Sequence, residues 1–410
     1  MSTEVHLDWQ SATHLIGRVF TQARGSSVSF EYDRSWLDHP ASFSIDPTSL
    51  PLQRAALHTP ALFGALQDCG PDRWGRLLIE RAVRKQVLPQ KPYHDLDYVL
   101  ALDDASRIGA LRFRSGPDAP FLAPRQGKLP PLVRLAALLR ATEALHRDTE
   151  TAQDLKFLLG EGSPLGGARP KSAVQLPDGS VGIAKFPKPD DLRDIAAGEI
   201  LALTLARRAG IRTAGHRLVS SKSGGIAVIT RFDRDGPQRI PFLSASSLLG
   251  LPPDQPGAYT LIADGIRQFG GDVVPDLHEL WRRMVFSLLA SNFDDHLRNH
   301  GFLMHQPGRW SLSPAYDLNP VPAIDRARFN KTAITEDDSE PTPGLALAAA
   351  PRFGLKPAEA RAILQEVVTA LSGWHPTGKK IGLKATTLSA YESAFDHDLM
   401  TEAKFILRRT

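Results

Sequence analysis

Apolar and polar positions alternate in some parts of the chain and recur at helical spacing in others. Val28, Phe30 and Tyr32 alternate with Ser29 and Glu31, which predicts a half-buried strand. Helices are predicted over Trp74 to Lys85, opened by Pro71-Asp72, and over Leu132 to His146, where Leu and Ala recur at helical spacing. Two strands, Ser172 to Leu176 and Val181 to Phe186, flank the turn Pro177-Asp178-Gly179. A helix follows over Ile195 to Arg208, stopped by Gly210. His216 to Ser220 and Ile226 to Phe232 then read as a further hairpin around Lys222 to Gly225. Beyond residue 245 helices are predicted at Leu277 to Ser291, Pro357 to Leu371 and Leu388 to Leu407, the second with proline at its opening position.

This order divides the chain into three regions. Residues 1–125 mix short strands with Pro and Gly turns. Residues 126–244, entered through the polar segment Gln126 to Pro131, alternate strand and helix, and residues 245–410 are mostly helical. The fold class is therefore α/β (α+β). At 410 residues the chain exceeds one compact core. An apolar fraction of 42% and a charged fraction of 23% exclude a disordered or fibrous protein. No apolar run is long enough for a membrane span, and the opening MSTEVHLDWQ lacks the basic and apolar parts of a secretion signal. A single cysteine, Cys69, excludes an intrachain disulfide and fits a reducing cytoplasm, the expected location. The net charge of +4 is spread along the chain and reads as solvated surface charge rather than a nucleic-acid footprint.

The stretch Asn292 to Phe302 holds Asp294 and, five positions on, Asn299; a strand-like run follows, then Trp310 to Leu318 with Asp317. Phosphoryl transfer from ATP needs a carboxylate beside the incoming hydroxyl to accept its proton. It also needs an amide oxygen and a second carboxylate to hold Mg²⁺ against the phosphates. Asp294 is thus the candidate base, and Asn299 and Asp317 the candidate metal ligands. Taken alone, Asp294, Asp295 and Asp317 read equally well as helix caps; the ordered set favours phosphotransfer. His296 and His300 are four apart, which suits a transition-metal site, but no HExxH pattern or nearby cysteine supports one. A histidine that braces the loop by hydrogen bonding is the preferred reading.

Upstream, Lys185 ends the apolar run from Val181, and Glu199 lies on the following helix, placed to pair with it. A lone strand lysine is more often a solvated edge residue; the downstream motif reverses that preference. The loop Gly160 to Lys171 contains four glycines and two prolines and could cover phosphates with backbone N–H groups, or be a plain surface turn. Gly167 is followed by Ala168, so a Walker-type loop is disfavoured. By its order alone, the strand Ile226 to Phe232 leads into a hinge whose backbone at Thr230, Arg231 and Phe232 could pair with adenine.

These residues resemble the HipA family of serine/threonine kinases, the toxin half of bacterial toxin–antitoxin pairs. Asp294 to Phe302 looks like that family's catalytic loop, Gly166 to Lys171 like its phosphate loop, and Ala315 to Leu318 like its metal-binding segment. Phe30 to Leu37, Leu50 to Leu52, Phe63-Gly64 and Pro71 to Arg76 are similar to its N-terminal subdomain. The resemblance implies a bilobal protein-kinase-like fold with an N-terminal β-rich subdomain and a mostly helical C-terminal lobe. It implies ATP and Mg²⁺ as cofactors. Nucleotide contacts would fall at Gly166, Gly167, Ala168, Arg169, Pro170, Lys171, Lys185, Thr230, Arg231, Phe232, His296, Leu297, Arg298, Asn299, Tyr316 and Asp317. It also implies a protein substrate, an aminoacyl-tRNA synthetase in known members, a small helix-turn-helix antitoxin, and DNA reached through the antitoxin complex. Family members silence themselves by phosphorylating a serine just ahead of the phosphate loop. The aligned position here is Pro164, and Ser163, one residue earlier, is the candidate. Thr230 stands where relatives can carry an acidic residue, so adenine contacts there would be through backbone. Two other functions stay open: a small-molecule or lipid kinase, since those enzymes also use Asp-x-x-x-x-Asn loops, and a DNA-binding protein that has kept the fold.

Overall fold

The computed structural model describes residues 2–21, 27–122, 129–161, 169–252, 255–325, 331–337 and 340–409. The strands are β1 Ser2–Trp9, β2 Ala12–Thr21, β3 Val28–Tyr32, β4 Leu57–Thr59, β5 Leu111–Arg114, β6 Lys171–Gln175, β7 Val181–Lys185, β8 His216–Ser221, β9 Gly224–Thr230, β10 Arg234–Asp235, β11 Gln238–Arg239, β12 Phe242–Ser244, β13 Gly257–Ala258, β14 Gly301–Gln306, β15 Arg309–Leu312 and β16 Thr332–Ala333. The helices are α1 Arg34–Leu37, α2 Gly64–Asp68, α3 Arg73–Arg84, α4 Asp95–Leu100, α5 Leu135–His146, α6 Ala152–Glu161, α7 Ile195–Arg208, α8 Ala245–Leu248, α9 Tyr259–Phe269, α10 Val273–Leu289, α11 Pro343–Ala349, α12 Pro357–Ser372, α13 Trp374–Lys380, α14 Ala385–Phe395 and α15 Asp398–Arg408. Among the described residues, no helix is long and apolar enough to cross a membrane.

Two compact units form. The first comprises Met1–Asp190, Ser221–Leu243 and Leu303–Gly308; the second comprises Asp191–Ser220, Ser244–Phe302 and Arg309–Thr410. The first opens with an antiparallel sheet in the order β4-β3-β2-β1-β5. In β3 the predicted alternation holds: Val28, Phe30 and Tyr32 are buried while Glu31 faces solvent. Helix α3 starts where Asp72 accepts a hydrogen bond from the Gly75 N–H at 2.8 Å, and it buries Trp74, Leu78, Ile79 and Ala82. Strand β6 pairs antiparallel with β7, Lys171 opposite Lys185, and β9 lies on the other side of β7 with Thr230 opposite Gly182.

The β-rich N-terminal part is bonded to this second sheet. Trp74 Nε1 donates to Lys171 O at 3.3 Å, and the Gly109 N–H donates to Asp233 Oδ2 at 2.7 Å. The Arg231 guanidinium donates to Ser106 O at 2.6 Å and Arg107 O at 2.9 Å. Asp233 is 1% exposed and takes charge-assisted bonds from Arg231 and Arg234. Burial alone would push its carboxyl up; the two guanidinium groups outweigh that and hold it far below the usual carboxylate range.

In the second unit, α7 spans the predicted residues. Asp194 caps it by accepting from the Ala197 N–H at 2.9 Å, and Gly210, at φ 81°, ends it in the left-handed region. Within α7, a Cβ on Gly198 would collide with the Tyr391 ring. Helix α10 begins earlier than predicted, at Val273, because Pro275 is tolerated in a first turn. Fully buried Trp281 donates from Nε1 to Ala346 O at 3.0 Å and locks α10 to α11. The single helix predicted over Leu388 to Leu407 is instead two. The break falls at Asp396 and His397, whose side chains bond Trp374 Nε1 at 3.1 Å and Leu289 O at 3.0 Å. Those contacts replace the helical path that the apolar spacing alone suggested.

Replacing Asp233 by alanine strands two buried guanidinium groups, and the expected loss of stability is about 3–5 kcal/mol. Urea unfolding at neutral pH measures it; a midpoint unchanged from wild type would remove the network from the account of the first unit. Because the folded Asp233 value is depressed, its contribution is present above about pH 4 and is lost as pH falls further.

Candidate active site

Helix α10 ends at Leu289, and Ser291, at φ 52°, turns the chain into the loop Asn292 to Phe302. The loop is held by its own short bonds. The Phe293 N–H donates to Ser291 O at 3.1 Å, the His296 N–H to Asp294 O at 3.0 Å, and the Asn299 N–H to His296 O at 2.8 Å. Asn299 Nδ2 also donates to Asp294 O, at 3.2 Å. Leu297 is 2% exposed and packs where Gly257 leaves room, so its side chain anchors the loop.

Asp294 and Asp295 are adjacent in sequence and opposite in environment. The Asp294 side chain is 56% exposed and ion-paired with Lys331. Asp295 is buried; it accepts from Tyr259 and Ser287, and His300 Nε2 lies 3.2 Å from its Oδ1. Burial alone would raise the Asp295 carboxyl, but the His300 charge and the three donors hold it below its ordinary value. Burial, reinforced by Asp295, pushes the Tyr259 hydroxyl well above its ordinary value, so it stays a donor.

Of the two histidines, His300 is the one set at ion-pair distance from the buried Asp295 carboxylate. His296 behaves differently: its Nδ1 is buried with no hydrogen-bond partner among the described residues. Burial holds its imidazole below the ordinary value, against the pull of Asp317 and Asp294.

Asp317 sits at φ 56°, a left-handed conformation uncommon outside glycine. Asn319 Nδ2 donates to Asp317 O at 3.1 Å and Oδ1 at 3.0 Å. Two further bonds join this segment to the loop. Tyr316 Oη donates to Arg298 O at 2.7 Å, and the Asn319 N–H donates to Asn292 Oδ1 at 3.0 Å. Asn292 Nδ2 in turn donates to Ser287 Oγ at 3.2 Å, which reaches Asp295. These bonds tie the loop that carries Asp294, His296 and Asn299 to the segment that carries Asp317, inside the second unit. Sequence reading missed Tyr259, Ser287 and Lys331. The amphipathic spacing Tyr259, Ile262, Ala263, Ile266 was the available signal for the helix carrying the first.

The other candidates are distributed. Glu199 is buried on α7 in the second unit, and Lys185 lies on β7 in the first. Lys171, expected at phosphate, is 3% exposed and ion-paired with Asp72 at 3.2 Å, so its ammonium secures the start of α3. Thr230 closes β9. The Arg231 N–H donates to Val181 O at 2.8 Å, and its side chain is taken by Asp233. Phe232 has its ring 6.3 Å from that of Phe242. Arg169 and Pro170 lead into β6, with Pro170 O accepting from the Phe186 N–H at 2.9 Å. Ser163, Gly166, Gly167 and Ala168 lie outside the described residues.

Comparison with known proteins adds the family. The HipA-like C-terminal domain matches residues 163–374, just over half of the chain, and the HipA N-terminal domain matches residues 7–114. A Haemophilus influenzae protein named "Putative kinase" is 27% identical over 36% of this chain and 47% of its own length. "Putative kinase Y4dM" of Sinorhizobium fredii is 28% identical over 52% of this chain and 54% of its own. The matches therefore span about half the length of these curated relatives. The structure of the Shewanella oneidensis MR-1 toxin–antitoxin system HipA, HipB and operator DNA complex superposes with a TM-score of 0.70 at 18% identity, covering 99% of this chain and 97% of that one. That likeness shows a shared mixed α/β fold.

Tyr259→Phe removes one donor from a buried carboxylate, and the expected cost is about 1–3 kcal/mol. Chemical unfolding of the purified variant checks it. Wild-type stability would mean that the phenol does not support Asp295.

Proposed function

The chain belongs to the HipA family, and on that premise we propose that it is an ATP- and Mg²⁺-dependent serine/threonine-protein kinase. Its role would be that of a growth-arresting toxin that phosphorylates a translation factor such as an aminoacyl-tRNA synthetase. The single observation that carries the reading is that hydrogen bonds join the loop of Asp294 and Asn299 to the segment of Asp317. In this reading the substrate hydroxyl oxygen bonds to the γ-phosphorus, its proton passes to Asp294, the bond to the β,γ-bridging oxygen breaks, and ADP leaves.

The residues fit Mg²⁺. Asn299 spends its amide nitrogen on Asp294 O, which leaves its carbonyl oxygen as the donor, and Asp317 adds a carboxylate. A site of one or two such oxygens completed by water and phosphates suits Mg²⁺. Among the described residues, no group of three or more His, Cys, Asp or Glu could hold a metal alone. When bound, the ion would neutralise phosphate charge. His296, with its orphaned Nδ1, is assigned to the nucleotide, together with the backbone of Arg298 and Tyr316.

The remaining roles are part of the same proposal. Lys185 paired with Glu199 would meet the phosphates under the loop Gly166 to Arg169. Thr230 and Phe232 would offer backbone to adenine, with only the carbonyl of Arg231. Ser163 would be the self-phosphorylated serine, and the regions 1–125, 126–244 and 245–410 would be the N-terminal subdomain, small lobe and large lobe. A small helix-turn-helix antitoxin, and DNA through that complex, are the proposed partners. Support comes from the Shewanella HipA structure, which contains HipB and operator DNA. The proposed compartment is the cytoplasm, where ATP and synthetases occur.

Asp294→Ala is expected to bind Mg·ATP with wild-type affinity and to lose phosphate transfer by a factor of at least about a hundred. Asp317→Ala should lose Mg²⁺-dependent ATP binding as well. Calorimetric titration and labelled-phosphate transfer read the two quantities; transfer by Asp294→Ala at the wild-type rate would refute the base assignment. In cells without a partner protein, induced wild type should arrest growth and Asp294→Ala at equal level should not. Arrest by both would move the harmful activity from chemistry to binding.

A further inference from the structure

Lys331 belongs to none of the motifs that mark the site, yet its ammonium ion-pairs with Asp294 Oδ1. Both side chains are more than half exposed, 55% and 56%. A pair so open to water is worth roughly 0–1 kcal/mol, so stability does not account for it. Its backbone, by contrast, is firmly placed. The Lys331 N–H donates to Phe293 O at 3.3 Å, one residue before the base. The next residues, Thr332 and Ala333, form β16 in parallel register with Gly257 and Ala258 of β13. Thr260 then donates through Oγ1 to Ile334 O at 3.3 Å. The root of the lysine is therefore fixed both to the loop and to the start of α9, the helix whose Tyr259 holds Asp295.

Charge gives this placement a purpose. The cluster carries three carboxylates, Asp294, Asp295 and Asp317, and His300 is set against Asp295. His296 is pushed toward its neutral form by burial, and Lys331 adds to that push, which puts the ammonium within electrostatic reach of His296 and so inside the cluster. A γ-phosphate entering here meets the Asp294 carboxylate on its acceptor side, away from the Mg²⁺ that Asn299 and Asp317 would hold. A lysine ammonium on a flexible stem is the kind of cation that can answer it.

We propose that Lys331 is a catalytic residue whose ammonium passes from the Asp294 carboxylate to the oxygens of the transferring phosphoryl group; the assignment rests on the kinase reading above. In the ground state the ammonium is paired with Asp294. As the oxygen–phosphorus bond forms and the bridging bond breaks, the hydroxyl proton arrives on Asp294 and cancels its charge. The ammonium is released from its partner at the moment when charge develops on the phosphoryl oxygens and on departing ADP. An interaction that strengthens only along the reaction raises the rate and leaves substrate binding alone.

The test uses the full chain and steady-state release of ADP from Mg·ATP, with water as acceptor, for wild type, Lys331→Met, Lys331→Arg and Asp294→Ala. Lys331→Met should lower kcat by about a hundredfold, hold KM for ATP within about twofold, and melt at the wild-type temperature. Lys331→Arg, which keeps the charge, should recover much of the rate. Wild-type turnover with an unimpaired or faster Lys331→Met overturns this assignment alone, the faster case making the lysine a brake. A loss carried by KM with kcat kept also overturns it. Wild-type turnover no higher than that of Asp294→Ala overturns the kinase reading and this assignment together.

Discussion

Asp295 is a charge taken out of water in the middle of the loop that carries the candidate base, and the shape of that loop follows from the donors it requires. An ionised carboxylate without partners is costly to bury. Tyr259 from α9, Ser287 from α10 and His300 from the loop's own end supply the partners, so the loop is pinned from three directions. The preceding residue, Asp294, the candidate base, is left facing solvent. Ser287 also accepts from Asn292, and Asn292 accepts from the backbone of Asn319, which bonds Asp317. One continuous set of hydrogen bonds thus positions both the candidate base and the candidate metal ligand.

The first unit solves a related problem with arginine. Asp233 gathers Arg231, Arg234 and the Gly109 N–H, and Arg231 spends its remaining donors on the carbonyls of Ser106 and Arg107. This fastens the end of β9 to the N-terminal part of the chain. The same arrangement explains why Arg231 is a structural residue despite lying in the segment read as a hinge. Lys171 follows the same rule, since its ammonium is claimed by the cap of α3.

What was legible in the sequence is what leaves a local trace. Asp194 and Gly210 punctuate α7, and its bounds follow from them; the alternation in β3 sets its buried face. The order Asp294, Asn299, Asp317 marks the candidate site because the proposed roles need fixed residue types at close spacing. Tyr259 and Ser287 were not legible, because a hydrogen bond between distant segments imposes no periodicity on either. Lys331 was hidden for the same reason. The break between α14 and α15 was masked by apolar spacing that runs through Asp396 and His397, whose polar contacts exist only in the folded chain. Leu297 and Lys171 are buried, and burial of a lysine or of a loop leucine cannot be read from their neighbours in sequence.

The central claim is that the pinned loop serves transfer of phosphate from ATP to a protein hydroxyl. The most direct measurement adds γ-labelled ATP and the purified chain to a cell lysate, with and without chelation of Mg²⁺, and follows the label into protein and small-molecule fractions. The account predicts label on serine or threonine of a protein, abolished by chelation. Label confined to a small metabolite, or transfer indifferent to Mg²⁺, would contradict it.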